Sequence, residues 1–187
     1  LFNHERFIAD ALRSVLAQSA VPERIIVIDD GSTDASAEAA RSVADPRITL
    51  ISQPNAGAHA ALNRGIALAE GAEFIGILNS DDLYETGRVA ECVDALRQNA
   101  SIDVVATRLK IIDDAGTPLP ADEPRARWLQ SVWQVRPQSL CAWLGIANFV
   151  KTTSNLFGRA DYFRANPFRP YRYVHDYYFA VTAALDG

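Results

Sequence analysis

The apolar residues Phe7, Ile8, Ala11, Leu12, Val15 and Leu16 recur three and four positions apart, which predicts a helix with one apolar stripe. Asn3 is placed to cap it, and the run ends near Val21-Pro22. Arg24 to Ile28 is then a continuous β-branched stretch, the mark of a strand covered on both faces of a parallel sheet. The two patterns repeat, with helices predicted over about 35–44, 58–70 and 87–98 and strands over 47–52, 73–78 and 102–109. Strands separated by helices in this way build βαβ units, so the fold class is α/β: a three-layer α/β/α sandwich around a mainly parallel sheet. A helix precedes the first visible strand, and in a parallel sheet that implies another strand upstream of Leu1.

The pattern fades after about residue 110. Residues 113–124 are rich in turn formers, and 125–150 mixes Trp128, Trp133 and Trp143 with Arg and Gln without a clean period. A last helix is predicted from about Asp176 to Leu185, with Tyr177, Val181 and Leu185 on one stripe and Tyr178 beside it. No linker or low-complexity stretch marks a second domain, so residues 1–187 read as one domain.

Composition narrows the class of partner. The 187 residues are 49% hydrophobic and 22% charged, an ordinary globular balance, and 18 basic against 23 acidic residues leave a net charge of −5. Nucleic acid and anionic membranes reward clustered Lys and Arg, which are absent here. Cys92 and Cys141 form no metal or redox pattern and read as a reduced intracellular pair. No apolar run approaches the roughly 18 residues of a membrane span, and no signal pattern opens the chain. A cytoplasmic location follows as an expectation. Met is absent even at position 1, which points to an internal piece of a longer chain or to methionines lost from the sequence.

Carboxylates at strand ends carry the candidate chemistry. Ile28-Asp29-Asp30-Gly31-Ser32-Thr33-Asp34 follows a buried strand, at the carboxyl edge where open α/β sheets bind ligands. Gly31 is expected to make the turn there, with Thr33 or Asp34 capping the next helix. Ile77-Leu78-Asn79-Ser80-Asp81-Asp82 ends a second buried strand in the same manner. Two like charges about 4 Å apart cost on the order of 4 kcal/mol at an effective dielectric near 20, so such clustering favours a divalent cation between them. Oxygen ligands of this kind suit Mg²⁺ or Mn²⁺. Asp113-Asp114, by contrast, precedes Ala115-Gly116-Thr117-Pro118 and reads as a hairpin turn.

Taken together, Phe2-Asn3-His4-Glu5-Arg6-Phe7-Ile8, Val27 to Asp34, Asn55-Ala56-Gly57, Leu62-Asn63-Arg64-Gly65-Ile66 and Leu78 to Asp82 resemble, in order and spacing, the family 2 glycosyltransferases of the GT-A fold. The resemblance covers residues 1 to about 110 and revives at Thr152 to Phe157 and at His175-Asp176-Tyr177-Tyr178. It implies transfer of a sugar from a nucleotide-diphosphate sugar, a UDP-sugar first of all, to a hydroxyl of a glycan, lipid-linked or protein acceptor, with inversion. It also allows peripheral association with the inner face of a membrane. Residues 1–110 would form the nucleotide-sugar half and 111–187 the acceptor half. By the same resemblance Asp30 would accept from the base edge with Phe2 beside the base. Asn63 and Arg64 would touch the nucleotide or sugar, and Asp81 the ribose or sugar. Asp82 would hold Mn²⁺ or Mg²⁺ on the diphosphate, and Asp176 would act as general base. Ser80 stands where the family's DXD-type motif has its first acid.

Other features carry less. His4, His59 and His175 lack metal-ligand spacing, the Trp residues fit either an acceptor platform or a core, and Asn99-Ala100-Ser101 is a glycosylation pattern that an intracellular chain leaves unused. Two rivals remain at this level: a catalytically inactive nucleotide-sugar-binding module of the same fold, and a phosphoacceptor receiver domain built on Asp29-Asp30, Asp81, Thr107 and Lys110. The receiver reading leaves the preceding helix and the more than 70 residues beyond Lys110 unexplained.

Overall fold

A computed structural model describes residues 1–135, 139–171 and 173–186. Helix α1 spans Ile8–Leu16, followed by β1 (Ile25–Asp29), α2 (Ser36–Ser42), β2 (Ile48–Ser52), α3 (Ala58–Leu68), β3 (Phe74–Gly76), α4 (Arg88–Gln98) and β4 (Val104–Ala106). The later part of the chain holds α5 (Pro124–Gln134), α6 (Leu140–Ile146), a 3₁₀ turn (Thr153–Asn155), β5 (Leu156–Arg159), α7 (Ala160–Ala165) and α8 (His175–Asp186).

The strands lie in two ladders. β1 and β2 pair parallel from Ile25↔Ile48 to Asp29↔Ser52. On the other edge of β1, Leu1 donates to the Ile28 carbonyl (2.8 Å) and accepts from the Asp30 N–H (2.9 Å), as a parallel neighbour would. In the second ladder β5 runs antiparallel between β3 and β4, so that β3 and β4 point the same way. This middle strand comes from the second half of the chain, so the halves on either side of residue 110 interleave.

Three clusters make the core. Ile8 and Leu12 of α1 pack with Val27 and Ala40, while Val15 turns to Tyr84, Cys92, Leu96 and Phe157. This is the predicted stripe of α1, buried at Ile8, Ala11, Leu12 and Val15. The third cluster joins Ile66, Ile77 and Leu156 to Phe163, Phe168 and Phe179. The last three rings stack with centroids 4.6–6.4 Å apart, which fixes α8 against α7.

Several expectations are corrected. Asn3 does not cap α1, which starts behind Phe7 without a side-chain cap; Asn3 instead adopts φ +52° and faces the turn after β1. Among the described residues of 125–150 there are two helices, α5 opened by Glu123 accepting from the Arg125 and Ala126 N–H groups with Pro124 in its first turn, and α6 capped by Ser139. α8 buries Phe179 and Ala180, whereas Leu185 is 71% exposed. The Asp113 turn forms as expected, with a bridge between Ile112 and Pro118 and the Thr117 N–H donating to Asp113 Oδ1.

Candidate active site

Strand β1 ends in two buried carboxylates with different partners. Asp29, 4% exposed, accepts from the Ser32 N–H (3.1 Å) and the Ser52 hydroxyl (3.2 Å) and so ties the turn to β2. Asp30, 3% exposed, accepts from Gln53 Nε2 (2.6 Å) and the Ala56 N–H (2.9 Å) on Oδ1 and from the Gly57 N–H (2.8 Å) on Oδ2. A carboxylate has about four acceptor positions, so Asp30 shapes the 53–57 loop and retains room for about one more donor. Gln53 in turn accepts from Arg64 Nη1 (2.9 Å), which brings Arg64 to the Asp30 edge through a relay the chain's spacing did not reveal. Gly31 follows at φ +79°, where a Cβ would sit 2.8 Å from the Asn55 nitrogen, so only glycine lets the turn lie this close to the loop.

The remaining polar residues of that turn are latched to the start of the chain. Asn3 Oδ1 accepts from the Thr33 N–H (2.8 Å), the Asn3 N–H donates to Ser32 Oγ (3.1 Å), and the His4 N–H to Ser36 Oγ (2.8 Å). Glu5 accepts from the Ala35 N–H and returns its own N–H to Asp34 Oδ2. Phe2, 45% exposed, projects from the same segment. His4 reaches across to the second acidic pair, with Nδ1 2.8 Å from Ser80 Oγ and 3.8 Å from Asp81 Oδ1. The two acidic pairs share one region, because His4 is latched to Ser36 behind the first pair and stands beside Asp81 of the second.

Asp82 is held by the 3₁₀ turn ahead of β5. Its Oδ2 accepts from the Ser154 hydroxyl (2.7 Å) and the Thr152 hydroxyl (3.1 Å), and Oδ1 has no hydrogen bond among the described residues. Asn79 is gripped by the same turn, donating from its backbone N–H to Ser154 Oγ and from Nδ2 to Thr152 Oγ1, and accepting from the Thr153 hydroxyl. Asn155, fully buried, completes a capping box with Thr152 and donates to the Thr107 carbonyl beyond β4. Burial pushes the Asp82 pKa up, assisted by the neighbouring Asp81, and the two hydroxyls partly oppose it. Asp81 keeps 49% of its side chain in solvent.

Asp176 lies in the first turn of α8, half-buried, its Oδ1 accepting from the Tyr177 N–H. The link to Asp82 is Lys151, the residue before Thr152. Its ammonium sits 4.3 Å from the centroid of Trp128 and feels Asp176; burial lowers its pKa and Asp176 works against that. Nothing in the sequence pattern singles out Lys151 or pairs it with Trp128. Asn63 stands apart from the other expected contacts: its Nδ2 donates to the Phe168 carbonyl (2.9 Å) and its Oδ1 accepts from the Phe168 N–H (2.8 Å), so its amide is spent on clamping the approach to α8.

No group of three or more His, Cys, Asp and Glu side chains among the described residues forms a metal cage. Mg²⁺ in phosphate-transfer sites is held by one or two carboxylates plus substrate phosphates, so the test of fit lies in the single carboxylate donors present. The donors on offer are Asp82 Oδ1 and the exposed Asp81.

A family model described as Glycosyl transferase family 2 matches residues 1–166. An uncharacterized glycosyltransferase of Nostoc sp. is 31% identical over 128 residues, 64% of this chain and 39% of its own length. Chondroitin synthase of Escherichia coli is 33% identical over 117 residues, 62% of this chain and 17% of its own. The matches thus span well under half of either relative. Among solved structures, glucosyl-3-phosphoglycerate synthase from Mycobacterium tuberculosis in complex with Mn²⁺, uridine diphosphate and phosphoglyceric acid aligns over 100% of this chain and 61% of its own, at 19% identity and a TM-score of 0.64.

Proposed function

The chain belongs to glycosyl transferase family 2 and has the GT-A fold, and we propose that it transfers a sugar from a UDP-sugar to an acceptor hydroxyl with inversion, in the synthesis of a polysaccharide or cell-surface glycan. The observation that carries this reading is the linkage of two carboxylates: Asp82, gripped by Thr152 and Ser154, and Asp176, in the field of the adjoining Lys151. Under this proposal the segment 151–154 joins the donor side, through Thr152 and Ser154 on Asp82, to the base at the start of α8, through Lys151.

On this reading the half-exposed Phe2 flanks the base, and Asp30 orders the 53–57 loop around it. Asp82 would hold Mn²⁺ or Mg²⁺ on the diphosphate, with the exposed Asp81 beside it toward the ribose or sugar; when bound, that cation supplies Lewis-acid stabilisation of the charge developing on the leaving group. Asp176 accepts the proton of the acceptor hydroxyl as its oxygen attacks the anomeric carbon from the face opposite the diphosphate. The C–O bond to the diphosphate breaks with its electron pair on the leaving oxygen, and the proton remains on Asp176. Such general-base assistance is worth about 10²–10⁴ in rate.

The decisive measurement pairs donor binding with turnover. UDP-, GDP- and dTDP-sugars are screened by thermal shift with Mn²⁺, and the stabilising donor is used to assay the wild type and Asp176→Asn. A UDP-sugar is expected to stabilise both, with turnover in Asp176→Asn down about 10²–10⁴. Equal turnover in the two proteins removes Asp176 as base. Stabilisation of a chain that turns over no donor with any glycan acceptor supports the inactive binding module instead.

A further inference from the structure

A cavity of about 450 Å³ opens between α5 and the hairpin that follows β4, within the roughly 300–1,000 Å³ usual for small-ligand sites. Its chemistry differs from that of the acidic edge. Arg108, Lys110, Gln130, Trp133 and Gln134 supply its polar and aromatic lining, Leu119 is part of the apolar wall, and no Asp or Glu lines it among the described residues, in a chain of net charge −5. Lys110 is paired with Glu85. Arg108 is exposed, lies 5.5 Å from the Trp133 ring centroid, and has no carboxylate partner among the described residues. Gln130 and Gln134 are four apart on α5 and so share a helix face. Trp133 is braced from behind by Trp143 and Phe149, at centroid distances of 5.4 and 5.3 Å, which holds its ring in place at the cavity wall.

An aromatic ring, two side-chain amides and a guanidinium without a carboxylate partner among the described residues are a set suited to a sugar that carries an acid. The ring offers a flat apolar face, the amides donate to and accept from hydroxyls, and the guanidinium forks onto a carboxylate or phosphate. Both walls also lead back to the candidate active site. Arg108 directly follows Thr107, whose N–H donates to the Asn155 carbonyl, and α5 carries the Trp128 that supports Lys151.

We propose that this groove binds an anionic sugar unit of the acceptor glycan, with Arg108 on its acid group, Trp133 along its ring, and Gln130 and Gln134 on its hydroxyls. The assignment of the bound sugar as acceptor rests on the transferase reading above, whereas the groove's preference for an acid does not. The test titrates the chain with three saccharides: an oligosaccharide containing uronic acid, a hexose phosphate, and a neutral oligosaccharide of matching length. Binding is followed through the Trp133 indole resonance, identified with Trp133→Phe, and UDP binding with Mn²⁺ is measured alongside. At least one anionic saccharide is expected to bind about tenfold or more tightly than the neutral one, and Arg108→Gln to lose about that factor while Arg108→Lys keeps part of it. UDP binding with Mn²⁺ should be the same in all these variants. Preference for the uronate or for the phosphate identifies the source of the acid. Equal binding of neutral and anionic saccharides, indifference to Arg108→Gln, or no saccharide binding overturns the groove even where UDP binds. Absence of UDP binding in the wild type overturns the transferase reading and leaves the acid preference of the groove to stand or fall on Arg108.

Discussion

At Asp82, burial and hydrogen bonding pull in opposite directions: loss of water raises its pKa, the Ser154 and Thr152 hydroxyls lower it, and burial is the larger effect. The folded chain therefore holds this proton to higher pH than the unfolded chain does, and folding loses stability as pH rises from the ordinary Asp range through the raised folded value. Asp82→Asn should accordingly melt higher than the wild type at pH 7, with the gap closing as pH falls toward the ordinary Asp range. The same variant should lose Mn²⁺-dependent UDP binding. Melting curves across pH check the first part, and a variant that melts lower at pH 7 contradicts it. Asp29 and Asp30 were legible, because a buried strand that ends in Asp-Asp declares its edge, whereas Asp81 and Asp82 lie in the loop beyond a β3 that stops at Gly76 and is only partly buried. The partners of these carboxylates were not legible: Gln53, Ala56 and Gly57 reach Asp30 across 23–27 residues, and Ser154 reaches Asp82 across 72, separations that local patterning does not encode.

Helix α8 depends on its surroundings more than on its own sequence. Phe179 stacks on Phe163 and Phe168, and Phe168 is clamped through both backbone groups by Asn63 of α3. Asn63→Ala deletes two hydrogen bonds and strands the Phe168 groups, a cost of about 2–4 kcal/mol. A chain of this size should then melt about 4–16 °C lower. Because Asp176 lies one turn before Phe179, turnover should fall while UDP affinity stays near the wild type. A loss of UDP affinity equal to the loss of turnover would return Asn63 to the nucleotide side. Helices α2, α3 and α4 fall within two or three residues of their predicted spans, since each repeats a clean period against a buried strand. β5 escaped notice because Leu-Phe-Gly-Arg is four residues long with a glycine inside and no alternation. α5 left a signal in Glu123-Pro124, a cap followed by a proline suited to the first turn, obscured by Trp and Gln on its faces.

Across the whole molecule the net charge of −5 is partly a property of the site, since Asp29, Asp30, Asp81, Asp82 and Asp176 all lie at or beside it. With one or two carboxylates offered and no three-residue cage among the described residues, Mn²⁺ alone should stabilise the fold little, and UDP alone should meet uncompensated carboxylates. The two together should shift the melting temperature well beyond the sum of their separate effects, since saturation at 100 times Kd is worth about 2.7 kcal/mol. Chelator should erase that shift and excess Mn²⁺ restore it; an equal shift from UDP in chelator argues against the metal. The placement of β5 between β3 and β4 has a further consequence for biosynthesis. A ribosome delivers β3, Asp81 and Asp82 early, but the hydroxyls that grip Asp82 and the strand that closes the sheet emerge some seventy residues later. Until that stretch leaves the exit tunnel, the nascent chain carries its acidic loop without the turn that holds Asp82, and β3 has to wait for β5 before this sheet can close.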